Sequence, residues 1–228
     1  ALQFVSKKSD IIITNSNYLK RELLDYGISE DKVEVVYNGL DIEPHKPRLI
    51  NKKAALTLIN IGKIMPAKNQ LDFIKLIAEL SINDDCRGII VGQASDRAYY
   101  QYIRNYAEDH KVSIEWAGAT PDISKYYERA DILVSTSLSE AFGLTIAESF
   151  LYGCPAFAYA VGGIPELFDE TQKHRFLSKM NTPEALIEII RQYLAQPGAE
   201  VQMRYVSEHF SIEKQVKTVE SIIERLCP

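Results

Sequence analysis

Cysteine is scarce in this sequence, and its placement excludes two classes of protein. Cys86, Cys154 and Cys227 are the three cysteines among 228 residues, and each lies far from the others. An odd number at such wide spacing fits neither a disulfide framework nor a CxxC metal site. We therefore expect free thiols in a reducing compartment.

A net positive charge and long apolar runs are also lacking. The formal net charge is -5 at pH 7, so the basic surface of a nucleic-acid-binding protein is absent, and we expect no nucleic-acid partner. No apolar run approaches the roughly 20 residues of a membrane-spanning helix. The opening residues, ALQFVSKKSD, do not have the pattern of a signal peptide. They also lack an initiator Met, from which we expect a fragment of a longer chain.

Several catalytic motifs do not occur. The sequence has no G-x-G-x-x-G fingerprint, no Walker phosphate loop and no G-x-S-x-G elbow, which argues against a nicotinamide enzyme, a P-loop nucleotidase and an α/β-hydrolase. The four histidines are scattered and no D-x-D pair is present. We therefore predict no metal site.

Short β-branched runs alternate with longer amphipathic segments along the chain. The strands are predicted over IIIT, VEVVYNGL, LTLINIG, RGIIVG, VSIEWAG, DILVSTS and PAFAYA. The helices are predicted over NYLKRELLDYG, QLDFIKLIAELS, RAYYQYIRNYAEDH, DISKYYERA, TIAESFLYG, TPEALIEIIRQYLAQ and SIEKQVKTVESIIERL, with a short one from PELF. The polar segment DIEPHKPRLINKK carries two prolines and is interpreted as a linker.

This alternation predicts the fold class. From residue 54 onward, continuous apolar strands with helices between them indicate an α/β protein with a doubly wound, Rossmann-like parallel sheet that is covered on both faces. Such sheets bind ligands beyond the carboxyl ends of their strands, at the topological switch point. The loops that follow the strands are therefore the candidate ligand-binding segments.

The loop GKIMPAKNQ follows the strand LTLINI. It carries Gly62, Lys63 and Lys68 just before a predicted helix. Two ammonium groups beside a helix N-terminus form a plausible anion site, because the helix dipole and the free N–H groups favour negative charge. The alternative is that both lysines are solvated surface residues.

The loop SEAFGLTIAESF follows the strand DILVSTS and has two interpretations. The residues Phe142, Gly143 and Leu144 present backbone N–H groups at a predicted helix start, where glycine allows a phosphate to approach. Alternatively, Thr145 and Glu148 form a capping box that only closes the helix start, and Glu140 is an ordinary exposed acid. The residues of this loop leave the choice open.

Three loops together resemble those of a known family. The segments GKIMPAK, SEAFGLTIAE and VGGIPE, in this order on a doubly wound domain, are similar to those of the retaining GT-B glycosyltransferases of family 4. Glu140 and Glu148 match the E-x7-E motif of that family, and GCPAFAYAVGGIPEL follows it as usual. The resemblance covers nearly the whole chain. It implies the Rossmann-like C-terminal half of a GT-B glycosyltransferase.

The resemblance also implies a division of the chain. Residues 46–228 would form the nucleotide-sugar-binding domain with its C-terminal helices. Residues 1–45 would be the end of the N-terminal acceptor domain and the interdomain linker. We therefore expect residues 1–228 alone to bind a nucleotide sugar weakly and to transfer nothing.

Roles for individual residues follow from the same resemblance. Lys63 and Lys68 match the basic pair that holds the donor diphosphate, and they would stabilise the leaving nucleoside diphosphate. Glu140 would hydrogen-bond the hydroxyls of the donor sugar or lie near the reacting carbon, and Glu148 would accept hydrogen bonds from the ribose. The implied catalytic residues are Glu140, Lys68 and Lys63. The implied substrate-binding residues are Gly62, Lys63, Lys68, Glu140, Ala141, Phe142, Gly143, Leu144, Thr145 and Glu148.

The sequence departs from the family pattern at two positions and leaves one subsite undefined. Lys63 stands where the family usually has arginine, so the charge is kept but the planar bidentate fork is lost. Ala141 stands where glycine is common. The base of the nucleotide would lie near the loops at Gly92 and at Gly118 and Ala119.

The implied function is that of the donor-binding domain of a retaining glycosyltransferase. A sugar would pass from a nucleoside-diphosphate sugar to an acceptor, without a metal or other cofactor. The acceptor would be a glycan, a lipid carrier or a small metabolite that the preceding domain binds. Two alternatives stay open: a nucleotide-sugar epimerase of the GT-B type, and a non-catalytic nucleotide-binding module. We expect a cytoplasmic protein, with any peripheral membrane attachment made through the acceptor domain.

Overall fold

The computed structural model of the chain describes residues 8–48, 50, 55–82 and 85–227. Two segments predicted from the sequence extend beyond these described residues. Residues 1–7 of the predicted acceptor-domain remnant lie outside the described residues, as do residues 49 and 51–53 of the predicted linker.

Six parallel strands form the main sheet. They are β3 (Leu56–Ile61), β4 (Cys86–Val91), β5 (Ile114–Gly118), β6 (Ile132–Ser135), β7 (Ala156–Tyr159) and β8 (Leu177–Ser178). Their spatial order is β5-β4-β3-β6-β7-β8, and every neighbouring pair is parallel. All of β7 and the first five residues of β3 are buried, because strands covered on both faces are apolar throughout. The predicted doubly wound sheet is confirmed.

Eight α-helices follow the first strand of this sheet in the described residues. They are α2 (Gln70–Leu80), α3 (Arg97–Asp109), α4 (Ser124–Arg129), α5 (Leu144–Leu151), α6 (Lys173–Phe176), α7 (Pro183–Ala195) and α8 (Glu200–His209), with α9 (Ile212–Leu226) closing the chain. The helix α2 packs against α3 and α7, and α5 packs against α8. No helix in the described ranges is long and apolar enough to cross a bilayer.

Polar side chains fix the starts of several helices. Asp96 accepts a hydrogen bond from the Tyr99 amide at the start of α3, and Thr182 accepts one from the Ala185 amide at the start of α7. Serine, threonine and aspartate are favoured there because they satisfy the backbone N–H groups of the first turn. These caps explain why both helices were predicted close to their observed bounds.

Two α-helices and one strand of the structure were absent from the sequence prediction. They are α6, β8 and α8, and the predicted short helix at PELF is a 3-10 turn over Ile164–Leu167. The helix α8 starts at Glu200, and Ala199 before it provides no capping side chain. It is held by the buried Gln202, whose side chain donates to the Leu167 carbonyl at 2.7 Å and accepts from the Asp169 amide at 3.1 Å. Such distant contacts override weak local signals.

Residues 8–40 form a small unit that the last helix contacts. The strands β1 (Ile12–Thr14) and β2 (Val33–Val35) pair in parallel, with α1 (Asn17–Asp25) between them. The carbonyl of Leu40 accepts from the Ile212 amide at 3.2 Å, and Arg225 contacts Glu34 at 2.8 Å. The helix α9 therefore joins the end of the chain to this unit.

Candidate functional site

The main sheet has its switch point between β3 and β6. The chain winds outward through β4 and β5 on one side of this point and through β7 and β8 on the other. The loops after β3 and β6 therefore leave the sheet side by side, where doubly wound sheets bind ligands. The buried side chain of Asn60 joins the two strands, since its Nδ2 donates to the Val134 carbonyl at 2.8 Å.

The two predicted basic residues differ in their surroundings. Lys68 ends the 3-10 turn Pro66–Lys68, and its ammonium forms an ion pair with the Glu140 carboxylate. The Lys63 side chain is exposed, and it makes no ion pair within the part of the chain that the structure describes. The structure therefore brings Lys68 and Glu140 together and leaves Lys63 at the surface of the same loop.

The loop of Lys68 is bound to the loop of Glu140 by backbone contacts as well. The Leu138 amide donates to the Ala67 carbonyl at 2.9 Å. The Thr136 hydroxyl donates to the Asn69 carbonyl at 2.8 Å and to the Lys68 carbonyl at 3.3 Å. These bonds position the two loops relative to each other without any contribution from the charged side chains.

The VGGIPE loop after β7 supports the Glu140 loop from the other side. The Gly163 amide donates to the Glu140 carbonyl at 2.9 Å. A Cβ at Gly162 would lie 1.9 Å from that same oxygen, and a Cβ at Gly163 would lie 2.1 Å from the Ala141 carbonyl oxygen. Only glycine permits an approach this close. The Gly162-Gly163 pair is therefore required by backbone packing, which its sequence alone did not indicate.

The helix α5 begins at Leu144, as predicted, and its first turn is open. Gly143 precedes it with a φ of +98° and provides no side-chain cap, a backbone conformation that glycine adopts without strain. Among the described residues, no acceptor bonds the amides of Leu144 and Thr145. Unpaired N–H groups at a helix N-terminus attract an anion.

The capping-box interpretation of Thr145 and Glu148 is wrong. Thr145 is the second residue of α5 and Glu148 the fifth, whereas a capping box joins the residue before the helix to the third residue within it. The half-buried Glu148 instead accepts a hydrogen bond from the Tyr127 hydroxyl at 2.7 Å. Burial, followed by the Glu148 charge and hydrogen bond, raises the pKa of Tyr127 well above its ordinary value. The phenol therefore stays protonated and donates to the carboxylate.

Two further predicted loops meet beside the switch point. The Gly92 amide donates to the Gly118 carbonyl at 2.8 Å, and the Gly62 amide donates to the Val91 carbonyl at 2.9 Å. The ends of β3, β4 and β5 are thus joined in a row. The structure therefore places Gly92, one of the residues predicted to lie near a nucleotide base, between Gly62 and Gly118.

Glu166 is a contact residue that the sequence prediction did not single out. One of its carboxylate oxygens accepts from the Asn17 amide at 2.8 Å and from the Tyr37 hydroxyl at 2.8 Å, and the other accepts from the Tyr18 amide at 2.7 Å. Asn17 and Tyr18 begin α1. Glu166 therefore supplies negative charge to the N-terminus of that helix, and it attaches residues 8–40 to the VGGIPE loop.

Tyr37 continues this connection to the candidate site. Its ring lies 5.9 Å from the ring of Phe142 between centroids. Burial, followed by the hydrogen bond to Glu166, raises the pKa of Tyr37 above its ordinary value. No local motif predicts this chain of contacts, because Glu166 and Asn17 are 149 residues apart.

A cavity of about 390 Å³ lies beside Tyr37 and Glu166. It is lined by Tyr37, Glu166, Tyr205, His209, Lys214 and Lys217, among others. It contains none of the residues predicted to bind substrate, which instead lie at the edge of the sheet.

In the described ranges, no three His, Cys, Asp or Glu side chains are placed to hold a metal ion together.

The chain matches two protein-family models. Residues 41–210 match the family described as glycosyl transferases group 1. Residues 1–44 match the one described as glycosyltransferase family 4.

Individual relatives and solved structures agree with these matches. The chain is 26% identical to an uncharacterised 41.2 kDa protein of the cps region of Klebsiella pneumoniae over 74% of this chain and 48% of that protein. It is 27% identical to an uncharacterised glycosyltransferase of Methanocaldococcus jannaschii over 98% of this chain and 62% of the relative. The chain thus spans about half to two thirds of the length of these relatives.

The fold is also that of Anabaena HepE, solved in complex with UDP and glucose. The TM-score is 0.84 at 20% identity, over 95% of this chain and 63% of HepE.

We expect Glu166→Gln to weaken the attachment of residues 8–40 to the VGGIPE loop. The amide cannot accept every hydrogen bond that the carboxylate accepts, so the free energy of unfolding should fall by about 1–3 kcal/mol. Urea unfolding measures the loss, and amide hydrogen exchange at Asn17 and Tyr18 should become faster.

Glu170→Gln is the matched control. Glu170 contacts only Lys173 within the described residues and its side chain is 85% exposed, so its replacement should change stability by less than about 0.5 kcal/mol. Equal stability and equal exchange in the two variants would contradict the role of Glu166.

Proposed function

Since this chain belongs to the glycosyl transferases of group 1, we propose that it binds the nucleotide-sugar donor of a sugar-transfer reaction. The transferase activity belongs to a longer protein that also carries an acceptor domain. The acceptor is a glycan, a lipid carrier or a small metabolite held by that domain.

One observation carries the proposal. Lys68, Glu140 and the open first turn of α5 lie together at the switch point of the sheet, between the loops after β3, β6 and β7. A cation beside unpaired helix amides suits a diphosphate. A carboxylate next to that anion site suits the hydroxyl groups of a sugar, which donate hydrogen bonds.

Each predicted residue has a role in this arrangement. Lys68 and Lys63 hold the diphosphate, and the backbone from Phe142 to Thr145 contacts its phosphates and the sugar. Glu140 accepts hydrogen bonds from the sugar hydroxyls. Gly62 and Ala141 allow the donor to approach the backbone.

Glu148 binds the ribose, and Tyr127 holds its carboxylate in place. The Tyr127 hydroxyl occupies one oxygen of Glu148 at 2.7 Å. A carboxylate has two oxygens and about four lone-pair sites, so capacity for ribose hydroxyls remains. Tyr127 is fully buried, and the bond therefore restricts the rotation of the Glu148 side chain.

The chemistry follows from charge stabilisation. The bond between the sugar and the diphosphate breaks, and negative charge grows on the leaving nucleoside diphosphate. Lys68, Lys63 and the first-turn amides of α5 stabilise that charge in the transition state, which is the role of preorganised donors in enzymes. The reaction retains the anomeric configuration and needs no metal.

The complex of HepE with UDP and glucose supports uridine nucleotides as the first ligands to test. We expect calorimetric titration with UDP, GDP, ADP and their sugars to give binding by at least one nucleotide. Lys68→Ala and Glu148→Gln should each weaken this binding at least about tenfold, since each removes a charged hydrogen-bond partner. Glutamine keeps an acceptor for Tyr127, so that the fold is preserved.

Two exposed residues of α9 provide the controls. Lys217→Ala removes one positive charge, as Lys68→Ala does, and Glu224→Ala removes one negative charge, as Glu148→Gln does. Both lie away from the switch point and should leave the affinity for the nucleotide within about twofold of wild type. Lys217 also lines the cavity beside Glu166. Affinity lost in Lys217→Ala but kept in Lys68→Ala would place the nucleotide in that cavity and contradict the proposed site.

The proposed reaction is tested by comparing the chain with the longer protein. Residues 1–228 should bind donor but transfer no sugar, whereas the longer protein should transfer it with retained configuration and with the same rate in excess EDTA. Proton NMR of the product gives the anomeric configuration. Sugar transfer by residues 1–228 alone would contradict the proposal that transfer needs the acceptor domain of the longer protein. An epimerised nucleotide sugar formed without acceptor would favour an epimerase.

A further inference from the structure

The ion pair between Lys68 and Glu140 joins two side chains that the proposed function assigns to different parts of the ligand. Lys68 is assigned to the diphosphate and Glu140 to the sugar. In the structure the two charges neutralise each other, with side chains that are 27% and 23% exposed. The donor must therefore rearrange a contact that is already made.

The backbone at both residues is held independently of this contact. The Lys68 amide donates to the Met65 carbonyl at 2.9 Å, and the Glu140 carbonyl accepts from the Gly163 amide at 2.9 Å. The close packing of Gly162 on Glu140 fixes the loop further. The side chains can therefore separate without a change in the loops that carry them.

Electrostatics makes the carboxylate a competitor of the diphosphate. A diphosphate that approaches Lys68 meets the negative charge of Glu140 at the same ammonium, and like charges at short range repel. A sugar attached to the diphosphate changes this, because its hydroxyl groups donate hydrogen bonds to the carboxylate. Glu140 then has a new partner and releases Lys68 to the phosphates.

We propose that Glu140 makes the site discriminate between the nucleotide sugar and the bare nucleoside diphosphate. Its carboxylate competes with the diphosphate for Lys68 until a sugar hydroxyl engages it. This inference rests on the proposed function. The Glu140 carboxylate also weakens binding of the reaction product, because that product is the bare nucleoside diphosphate. Specificity then comes from a repulsive element as well as an attractive one.

The decisive variant is Glu140→Gln, studied by calorimetric titration with the nucleotide that wild type binds and with its sugar. Removal of the charge should tighten binding of the bare diphosphate roughly 3- to 10-fold, because Lys68 loses its partly exposed partner and the repulsion disappears. Binding of the nucleotide sugar should gain less or weaken. The preference for the nucleotide sugar over the bare diphosphate should therefore fall.

Glu79→Gln is the matched control. Glu79 contacts Arg191 at 3.9 Å near the far end of α2, about 14 Å along the helix from its start beside Lys68. This variant removes the same charge from an ion pair and should bind both ligands like wild type. In a Lys68→Gln background, the gain from Glu140→Gln should shrink, because the two residues act through each other.

The outcomes separate this inference from the function on which it rests. If wild type binds nucleotide and Glu140→Gln binds the bare diphosphate equally or more weakly, the inference is wrong and the donor site stands. If neither wild type nor any variant binds a nucleotide, both are wrong. Should Glu140→Gln unfold, Glu140→Ala carries the same expectation for the bare diphosphate.

Discussion

The close backbone packing of Gly162 and Gly163 against the carbonyl groups of Glu140 and Ala141 is the constraint on which the candidate site depends. The Gly163 amide bonds the Glu140 carbonyl at 2.9 Å, and side chains at either glycine would collide with that backbone. This contact holds the loop after β6 in place. Because that loop leads directly into α5, it also determines where the open first turn of the helix points.

The same packing extends the site to the beginning of the chain. Glu166 follows the two glycines and binds the start of α1 and the Tyr37 hydroxyl. Tyr37 in turn lies against Phe142, within the loop that Gly163 supports. Residues 8–40 are therefore attached to the main sheet and its loops. Their position and the position of the Glu140 loop depend on one another through Glu166.

The sequence predicted the features that local patterns determine. The buried strands are apolar runs such as LTLINI and AFAY, and a strand covered on both faces must be of that kind. The start of α5 was predicted beside Gly143, where the structure has it. The pairing of Glu140 with Lys68 could not be predicted, because a motif gives spacing along the chain and not which side chains meet across two loops. For the same reason, Tyr127 was not predicted to bind Glu148, and α8 depends on the distant contacts of Gln202.

We propose that a nucleoside diphosphate binds at the start of α5, between Lys68 and Glu148. Residue-resolved amide hydrogen exchange, with and without a nucleotide that binds in titration, tests this most directly. We expect slower exchange at the amides of residues 143–145, which have no acceptor among the described residues, and unchanged exchange in α9. Protection confined to α9 and the cavity beside Glu166, with none at the start of α5, would contradict it.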